Sequence, residues 1–304
     1  MITDSHRPDY NANVAGSGRI ELVLHGRHAV FLQLSYCYPL KLLSPHVNVP
    51  LVAIAYILTY GGGLVSGDRI GLQIEVGSGA SLLLLTQGST KVFKHRPGVR
   101  LSKTAESVEN IFGRSTVQSL DVHVRQDGLL LLLPEPVTCF TAAAYNQIQT
   151  FHLEEDASVV LLDWITSGRM SRGEEWRFSR YYSINEVWLA KKRIARDVLL
   201  LDGDVSSTRS LKDRMGIYSC YATLIICGPK LRAVVEAIYA IYREISVYQQ
   251  ASPPDLIWST SRIEDGCVVR VAANETEKVK SWIKEHLSGL ADLVGAEVFG
   301  KALI

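Results

Sequence analysis

The chain has 304 residues, of which 47% are hydrophobic and 21% are charged, a composition typical of folded rather than disordered proteins. Its formal net charge of +1 offers no electrostatic attraction to DNA, RNA or an anionic membrane. The five cysteines are scattered and form no Cys-x-x-Cys pair, which argues against a zinc ribbon or a disulfide framework. No apolar run approaches the roughly 20 residues of a membrane helix, and the polar first residues do not resemble a secretory signal. We therefore expect a cytoplasmic protein that binds neither nucleic acid nor membranes.

Short segments with alternating polarity dominate most of the chain. Residues 1–18 are polar and are predicted to be loose, and residues 19–304 are predicted to form a single domain. The segment RIGLQIEV places every second residue, each of them apolar, on one face of a strand. The uninterrupted runs Leu82–Leu85 and Leu129–Leu133 favour strands that are covered on both faces. The sequence thus predicts a mainly β fold of many short strands.

Helical periodicity appears only in the last third of the chain. Apolar residues recur at helical spacing from Leu231 to Ile245, directly after Pro229. A second helix is predicted to begin near Asn274, with Glu277 completing a capping box. A short third helix is predicted around Ser207–Met215. Two or three helices are therefore expected to pack on the strands.

A glycine-rich segment, TYGGGLVSGDRIG, has the spacing with which a phosphate-binding loop begins. The lysine and hydroxyl positions of that motif are occupied here by Asp68 and Arg69, and a predicted strand follows instead of a helix. An aspartate in the place of the lysine would repel phosphate. The pattern is better explained as a tight turn between two strands, which uses the glycines for their backbone freedom (Gly61, Gly62, Gly63 and Gly67).

The sequence contains only weak signals for a metal-binding site. His25 and His28 would point to opposite faces if they lay on one strand, and the same holds for Cys220 and Cys227. Asp121 and His123 do fall on one face of a predicted strand, where they form either an exposed polar pair or an oriented imidazole. No paired catalytic carboxylates or hydrolase motif stand out, so no enzyme is predicted.

The segment DWITSGRMSRGEEWRFSRY, residues 163–181, concentrates tryptophan and charge. It is interpreted either as a solvated loop crossed by ion pairs or as a recognition surface, because Trp and Arg anchor many interfaces. The candidate surface residues are Trp164, Arg169, Arg172 and Trp176.

Four segments together resemble the urease accessory protein family UreD, called UreH in some bacteria. They are GGGLVSGD (residues 61–68), TQGSTKVF (86–93), LLLPEPVTCF (131–140) and SGRMSRGEEW (167–176). The resemblance runs from about residue 20 to 292, and TQGSTKVFK is most similar to fungal or plant members. Leu101–Ser115 is longer than the family's pattern, and the ending AEVFGKALI lacks a Pro-Arg-x-Trp-like motif, so no partner contact is carried over to that tail.

The resemblance implies a UreD-like domain with a β-helix-like body and a non-enzymatic scaffold role. Such proteins bind the accessory protein UreF and, through it, the nickel-carrying GTPase UreG, and dock this assembly on apo-urease. Nickel would pass in transit without a tightly bound cofactor, and GTP would belong to the partner.

Nickel(II) accepts imidazole and carboxylate ligands, and a path for it should offer isolated carboxylates. The first candidates are Asp68 and Glu174, which lie within the family motifs. Glu135 and Asp163 follow, with Thr86 as a polar lining residue. Asp68 has an equally weighted structural interpretation as the cap of a turn. Alternatives are a carbohydrate-acting β-helix enzyme, which would need two carboxylates in one groove, and an interaction module with no metal role.

Overall fold

Two β-sheets and a layer of helices make up the protein. The computed structural model describes residues 14–94, 115–203, 209–245 and 255–303. Within these ranges the strands are, in chain order, β1 (Ser17–His25), β2 (His28–Tyr36), β3 (Leu40–Leu43), β4 (Val52–Thr59), β5 (Arg69–Val76), β6 (Ser81–Thr86), β7 (Thr90–Val92), β8 (Thr116–Val124), β9 (Leu129–Leu132), β10 (Val137–Cys139), β11 (Ala144–Leu153), β12 (Ser158–Thr166), β13 (Arg180–Leu189), β14 (Lys192–Asp202), β15 (Cys220–Cys227), β16 (Leu256–Ile263) and β17 (Gly266–Ala273).

The chain winds back and forth between the two sheets. Sheet A has the strand order β14-β13-β11-β8-β5-β1-β2, and sheet B has the order β16-β17-β15-β12-β9-β6-β4-β3, with β7 and β10 attached beside β12. From β4 to β13 successive long strands alternate between the sheets, and neighbours within each sheet are parallel. This winding is that of a two-sided β-helix, closed on both sides by antiparallel strands. The mainly β fold with few helices is confirmed.

The winding separates two kinds of connection. Between β5 and β12, the chain segments that leave sheet A for sheet B are short turns (residues 77–80, 125–128 and 154–157). Each turn has one residue in the left-handed region, which Gly and Asp tolerate better than other residues (Gly79, Asp127 and Asp156). Segments that return from sheet B to sheet A are long (residues 60–68, 87–115, 133–143 and 167–179). We call the two ends of the body the short-turn edge and the long-loop edge.

Two apolar cores flank sheet B. One fills the space between the sheets, and the other lies between sheet B and the helices. Leu82 and Leu84 belong to the first core, whereas Leu83 and Leu85 belong to the second. Leu129–Leu133 alternates between the cores in the same way. The prediction that these runs are covered on both faces is confirmed.

The helices are α1 (Leu211–Met215), α2 (Arg232–Arg243), α3 (Thr276–His286), α4 (Ala291–Val294) and α5 (Ala296–Phe299). Helices α2 to α5 cover the outer face of sheet B, whereas α1 contacts the core between the sheets through Leu211 and Met215. The capping box predicted at Asn274 is wrong, because the Asn274 side chain donates to Asp255 instead and the residue at the N-cap is Glu275, whose side chain makes no capping hydrogen bond. A complete capping box occurs at α1, between Ser210 and Asp213. None of the described helices has the length and apolar character needed to cross a membrane.

Two further predictions concern the hairpin of β1 and β2, and the structure corrects both. The predicted loose segment 1–18 overlaps β1, which begins at Ser17, and residues 1–13 lie outside the described ranges. His25 and His28 do not share a strand, because they face each other across the β1–β2 turn. Cross-strand partners point to the same face, so the predicted opposite orientation is wrong. Most of Leu101–Ser115 lies outside the described residues.

Candidate functional site

The four segments singled out in the sequence meet at the long-loop edge. They follow or contain the carboxyl ends of β4, β6, β9 and β12, in chain order, and we number the four loops first to fourth in that order. Parallel neighbours in one sheet end on the same side, so their loops are brought together. The strand β10 joins the group by pairing with both β7 and the end of β12. The resulting loop cluster is the candidate functional site.

The glycine segment forms the first loop of this cluster. Gly61, Gly62 and Gly67 have φ values of 79°, 76° and 87°, in the region that side chains other than glycine rarely adopt. Gly63 is extended, but a Cβ there would lie 2.6 Å from the carbonyl oxygen of Lys91. Strand β5 follows directly, at Arg69. Three of the glycines therefore serve backbone conformation, and the fourth serves close packing against β7.

Asp68 closes the glycine loop. Its Oδ2 accepts a hydrogen bond from the Val65 amide at 2.9 Å, and its own amide donates to the Val65 carbonyl at 3.0 Å. The carboxyl group is half-buried, and this burial raises its pKa, while the hydrogen bond from Val65 opposes the rise. Asp68 thus has the geometry of a turn cap and a carboxylate that takes up a proton more readily than usual.

Thr86 and Glu135 are neighbours in the second and third loops. The Thr86 hydroxyl accepts from the Glu135 amide at 2.8 Å. The Glu135 carboxylate lies 3.6 Å from the ammonium of Lys280, a residue of α3. Burial raises the pKa of Glu135, and the charge of Lys280 partly offsets this rise. The long-loop edge therefore contacts helix α3 through a mostly buried ion pair.

Asp163 lies inside the body, on the face of β12 that looks towards sheet A, and is only 7% exposed. Its two oxygens accept hydrogen bonds of 2.5 to 2.9 Å from four side chains of β11 and β13 (Gln147, Tyr181, Ser183 and Asn185). Four donors satisfy most of the accepting capacity of a carboxylate. The sequence suggested that Asp163 is an isolated carboxylate. In the structure it is instead the centre of a buried hydrogen-bond network that joins the two sheets.

Among the described residues, the polar side chains between the sheets lie in the half of the body near the long-loop edge. The Asp163 network is extended by Tyr145, whose hydroxyl lies 3.0 and 3.1 Å from the amide oxygens of Gln118 and Gln147 and can donate its proton to either. Two buried amide oxygens in this region, Gln149 Oε1 and Asn185 Oδ1, accept no hydrogen bond from the described residues. Towards the short-turn edge the interior residues of the same strands are apolar (Val122, Phe151 and Val187).

Arg169 and Glu174 form a bidentate pair within the fourth loop. Arg169 Nε and Nη2 donate to the two carboxylate oxygens at 2.8 and 2.5 Å. This hydrogen bonding lowers the pKa of Glu174. The Arg169 guanidinium lies 4.0 Å from the ring centre of Phe140, and Phe140 contacts Phe93 edge to face. Glu174 is thus engaged by an arginine, and the third and fourth loops are packed together through aromatic contacts.

The two tryptophans predicted for a partner surface are buried. Trp164 is 2% exposed in the core beneath the helices, and its indole donates to the Pro134 carbonyl. Trp176 is 5% exposed and donates to the Tyr218 carbonyl. Their placement on a surface is therefore corrected, because both indoles already fill apolar space and have satisfied donors. Arg172 is exposed on this loop, as is the neighbouring Met170, which is 52% exposed.

Sequence reasoning missed the partners that surround Asp163. Gln147, Ser183 and Asn185 occur in ordinary alternating strands, and only the parallel register of β11 and β13 brings them to one place. The signal that the sequence does contain is the polar residue type at inward positions of otherwise apolar faces, as in AYNQIQTF and RYYSINEV. His152 was missed for the same reason, since it joins Asp121 and His123 only through pairing of β8 with β11.

Comparisons with known proteins show which family this chain is similar to. The family model described as UreD urease accessory protein matches residues 15–300. "Urease accessory protein 4" of Cryptococcus neoformans is 36% identical over 95% of this chain and 95% of its own length. "Urease accessory protein D" of Oryza sativa subsp. indica is 36% identical over 94% of this chain and 95% of its own, and "Urease accessory protein UreD" of Sorangium cellulosum is 34% identical over 95% and 85%. The chain therefore belongs to the UreD family of urease accessory proteins.

Proposed function

We propose that this chain is a urease maturation scaffold. It docks a UreF-type accessory protein and, through it, a UreG-type GTPase on apo-urease, and it helps nickel to reach the urease active site. GTP is bound by the partner, and the work takes place in the cytoplasm. The relatives named as urease accessory proteins support the maturation role, and their names describe helpers rather than enzymes.

The observation that carries the nickel part of the proposal is the polar interior beneath the long-loop edge. Oxygen-rich surroundings suit hard and borderline divalent cations, and buried polar groups are normally hydrogen-bonded. Gln149 Oε1 and Asn185 Oδ1 depart from that rule close to a buried carboxylate. A cation or a water in transit would satisfy them. Because the interior turns apolar towards the short-turn edge, the proposed path enters and leaves through the long-loop half.

The carboxylates differ in how readily they could exchange a contact for nickel. Asp68 accepts a hydrogen bond from one backbone amide, and Glu135 faces one lysine at 3.6 Å. Asp163 accepts four hydrogen bonds, and Glu174 is paired with both nitrogens of an arginine fork. In this proposal Asp68 and Glu135 are the exchanging groups. Asp163 supplies fixed charge in the interior, Thr86 orients the loop that carries Glu135, and Glu174 shapes the docking loop through Arg169.

The path is tested with amide variants that keep side-chain shape. Asp68→Asn combined with Glu135→Gln should leave capture of a UreF-type partner intact and should lower both the nickel content and the activity of the recovered urease. Glu155→Gln serves as the control, because Glu155 is an exposed carboxylate at the short-turn edge. Normal nickel content in the double variant would remove both residues from the path and leave only the scaffold role.

Docking is tested separately on the fourth loop. Arg172→Glu should reduce co-purification of the UreF-type partner, because Arg172 is an exposed cation of that loop. Lys191→Glu makes the same charge change at an exposed position between β13 and β14, away from the loop cluster. Equal loss with both variants would argue for nonspecific electrostatics, and no loss with Arg172→Glu would place the docking surface elsewhere.

A further inference from the structure

Three potential metal ligands meet on the outer face of sheet A, near the short-turn edge. Asp121 and His123 are two positions apart on β8, so their side chains share one face. Strand β11 lies parallel to β8 with His152 opposite His123 and Thr150 opposite Asp121. The register therefore completes a cluster of one carboxylate and two imidazoles from two neighbouring strands.

The spacing of the cluster suits a single ion. His123 Nε2 and His152 Nε2 lie 3.6 and 3.7 Å from Asp121 Oδ1, and the three ligand atoms are all within 4.8 Å of one another. Bonds of about 2.0–2.2 Å to one metal would require ligand atoms roughly 3–3.5 Å apart. Rotation of the imidazoles by side-chain torsions alone would supply the remaining movement. The cluster is the one group of three or more such ligands found in the described part of the chain.

An unsatisfied oxygen atom of Asp121 is a second observation that points to a bound ion, independent of the spacing of the ligands. Its Oδ1 is buried and accepts no hydrogen bond from any residue that the structure describes. A buried carboxylate oxygen without a donor is uncommon and calls for an explanation. Both imidazoles are turned towards this atom at distances longer than a hydrogen bond. The arrangement leaves a position between three lone-pair donors, which a cation would fill.

The surroundings leave the site open on one side. The side chains of His123, His152 and Asp121 are 40%, 39% and 30% exposed. Trp188 of β13 stacks beside His152 with ring centres 6.5 Å apart. Glu75 is engaged by Arg125 at 2.6 Å, so it is held away from the role of a fourth ligand. Three protein ligands and a solvent-facing side are typical of sites that complete their coordination with water and exchange the ion.

We propose that Asp121, His123 and His152 form a binding site for one divalent transition-metal ion of borderline character, such as Zn²⁺ or Ni²⁺, on the outer face of sheet A. Imidazole and carboxylate ligands together select this class over Ca²⁺ or Mg²⁺. The site lies at the end of the body opposite the long-loop edge. It uses none of the residues assigned to the nickel path, so it stands or falls independently of the proposed function.

Metal titration of the full-length chain tests the site. The chain is stripped of metal and titrated with Zn²⁺ and with Ni²⁺ by calorimetry, and with Co²⁺ followed by its visible absorption. We expect one ion per chain at this site. His123→Ala combined with His152→Ala, and Asp121→Asn alone, should each weaken binding by at least about tenfold. Mg²⁺ should not compete at equal concentration.

A matched control removes two imidazoles elsewhere. His25→Ala with His28→Ala deletes a pair that faces each other across the β1–β2 turn and has no third ligand in the described residues. This variant should bind one ion as the unmodified chain does. Melting curves without metal establish that every variant is folded. Unchanged binding by the His123/His152 variant, or loss of the ion only in the His25/His28 variant, would overturn the proposal.

Discussion

At the scale of single residues, the glycine loop contains glycines that are required for two different reasons, backbone conformation and close packing. Gly67 has a φ of 87°, and a Cβ added there would meet no heavy atom within 4 Å, so its constraint is backbone conformation. Gly63 is extended, and a Cβ there would collide with the Lys91 carbonyl. The two positions should therefore respond differently to the same substitutions.

Gly67→Val should lower the free energy of unfolding by about 1–3 kcal/mol, because a β-branched residue is disfavoured at positive φ. Gly67→Asn should recover most of this loss, since asparagine tolerates the left-handed region. Gly63→Ala and Gly63→Asn should both destabilise, because any side chain is too close to β7. Denaturant melts of the four variants decide between the two explanations, and an Asn rescue at Gly63 would contradict the packing explanation.

The contribution of Asp68 to the stability of the folded chain should depend on pH, and the raised pKa fixes the direction of this dependence. Burial raises its pKa in the folded state, so the folded chain holds this proton more readily than the unfolded chain. The corresponding stability is present at low pH and is lost as pH rises through the pKa of the folded state. Asp68→Asn keeps an acceptor for the Val65 amide and removes the charge.

We therefore expect Asp68→Asn to melt at or above the unmodified chain at pH 7, with the difference shrinking as pH falls through the raised pKa of the folded state and absent below about pH 4. Asp68→Ala also removes the charge but loses the cap, so it should be less stable than Asp68→Asn by roughly 1 kcal/mol at every pH. Thermal melts across this range test the prediction. An Asn variant that is less stable at pH 7 by the same amount as the Ala variant would show that the charge itself stabilises the loop.

At the scale of elements, the Asp163 network holds β12 against β11 and β13. The hydrogen bonds from Gln147 and Ser183 cross the space between the sheets, where most other contacts are apolar. Directional bonds of this kind favour one register of strands whose apolar faces could otherwise slide. The network thus contributes specificity to the winding as well as stability.

Asp163→Ala should lower the free energy of unfolding by about 3 kcal/mol or more, because it leaves four buried donors without their acceptor. Ser183→Ala removes one donor of the four and should cost about 1 kcal/mol. Chemical denaturation of both variants measures the two losses. Similar small losses would mean that water replaces the carboxylate and that the interior is wetter than the contacts suggest.

At the scale of the whole molecule, the two edge strands of sheet A each pair with a described strand on one side only. The edge strand β2 exposes Val30 and Leu32, at 41% and 65%, and the opposite edge β14 exposes Val198 and Leu200, at 43% and 48%. Unpaired edges with exposed apolar residues promote association between copies. A chain expressed without partners should therefore aggregate.

Leu32→Lys should raise the soluble, monodisperse fraction of the chain expressed alone, because a charge on an edge strand opposes pairing. Stability should change by no more than about 0.5 kcal/mol, since the residue is mostly exposed. Leu293→Lys, an exposed position on α4, adds the same charge away from any sheet edge. Size-exclusion chromatography compares the two, and equal improvement would point to net charge rather than edge protection.

Local sequence patterns alone were enough to predict the strands, the glycine turn and the family resemblance. Alternating and uninterrupted apolar runs predicted the strands and which of them are covered on both faces, since side chains of a strand alternate with a period of two. The glycine spacing with Asp68 and Arg69 predicted a turn rather than a phosphate loop. The motif segments pointed to the UreD family, because short loop sequences carry much of the specific information in a fold.

Only the tertiary structure decided which side chains meet. Trp164 and Trp176 resembled surface residues by type, but burial depends on what packs around a residue: Trp164 lies in the core under the helices, and Trp176 lies in the core between the sheets. Asp163 acquired its donors, and Asp121 and His123 acquired His152, through the register of parallel strands far apart in the chain. That register is set by the winding of the whole body and by packing in its two cores, and no local pattern of residues contains it.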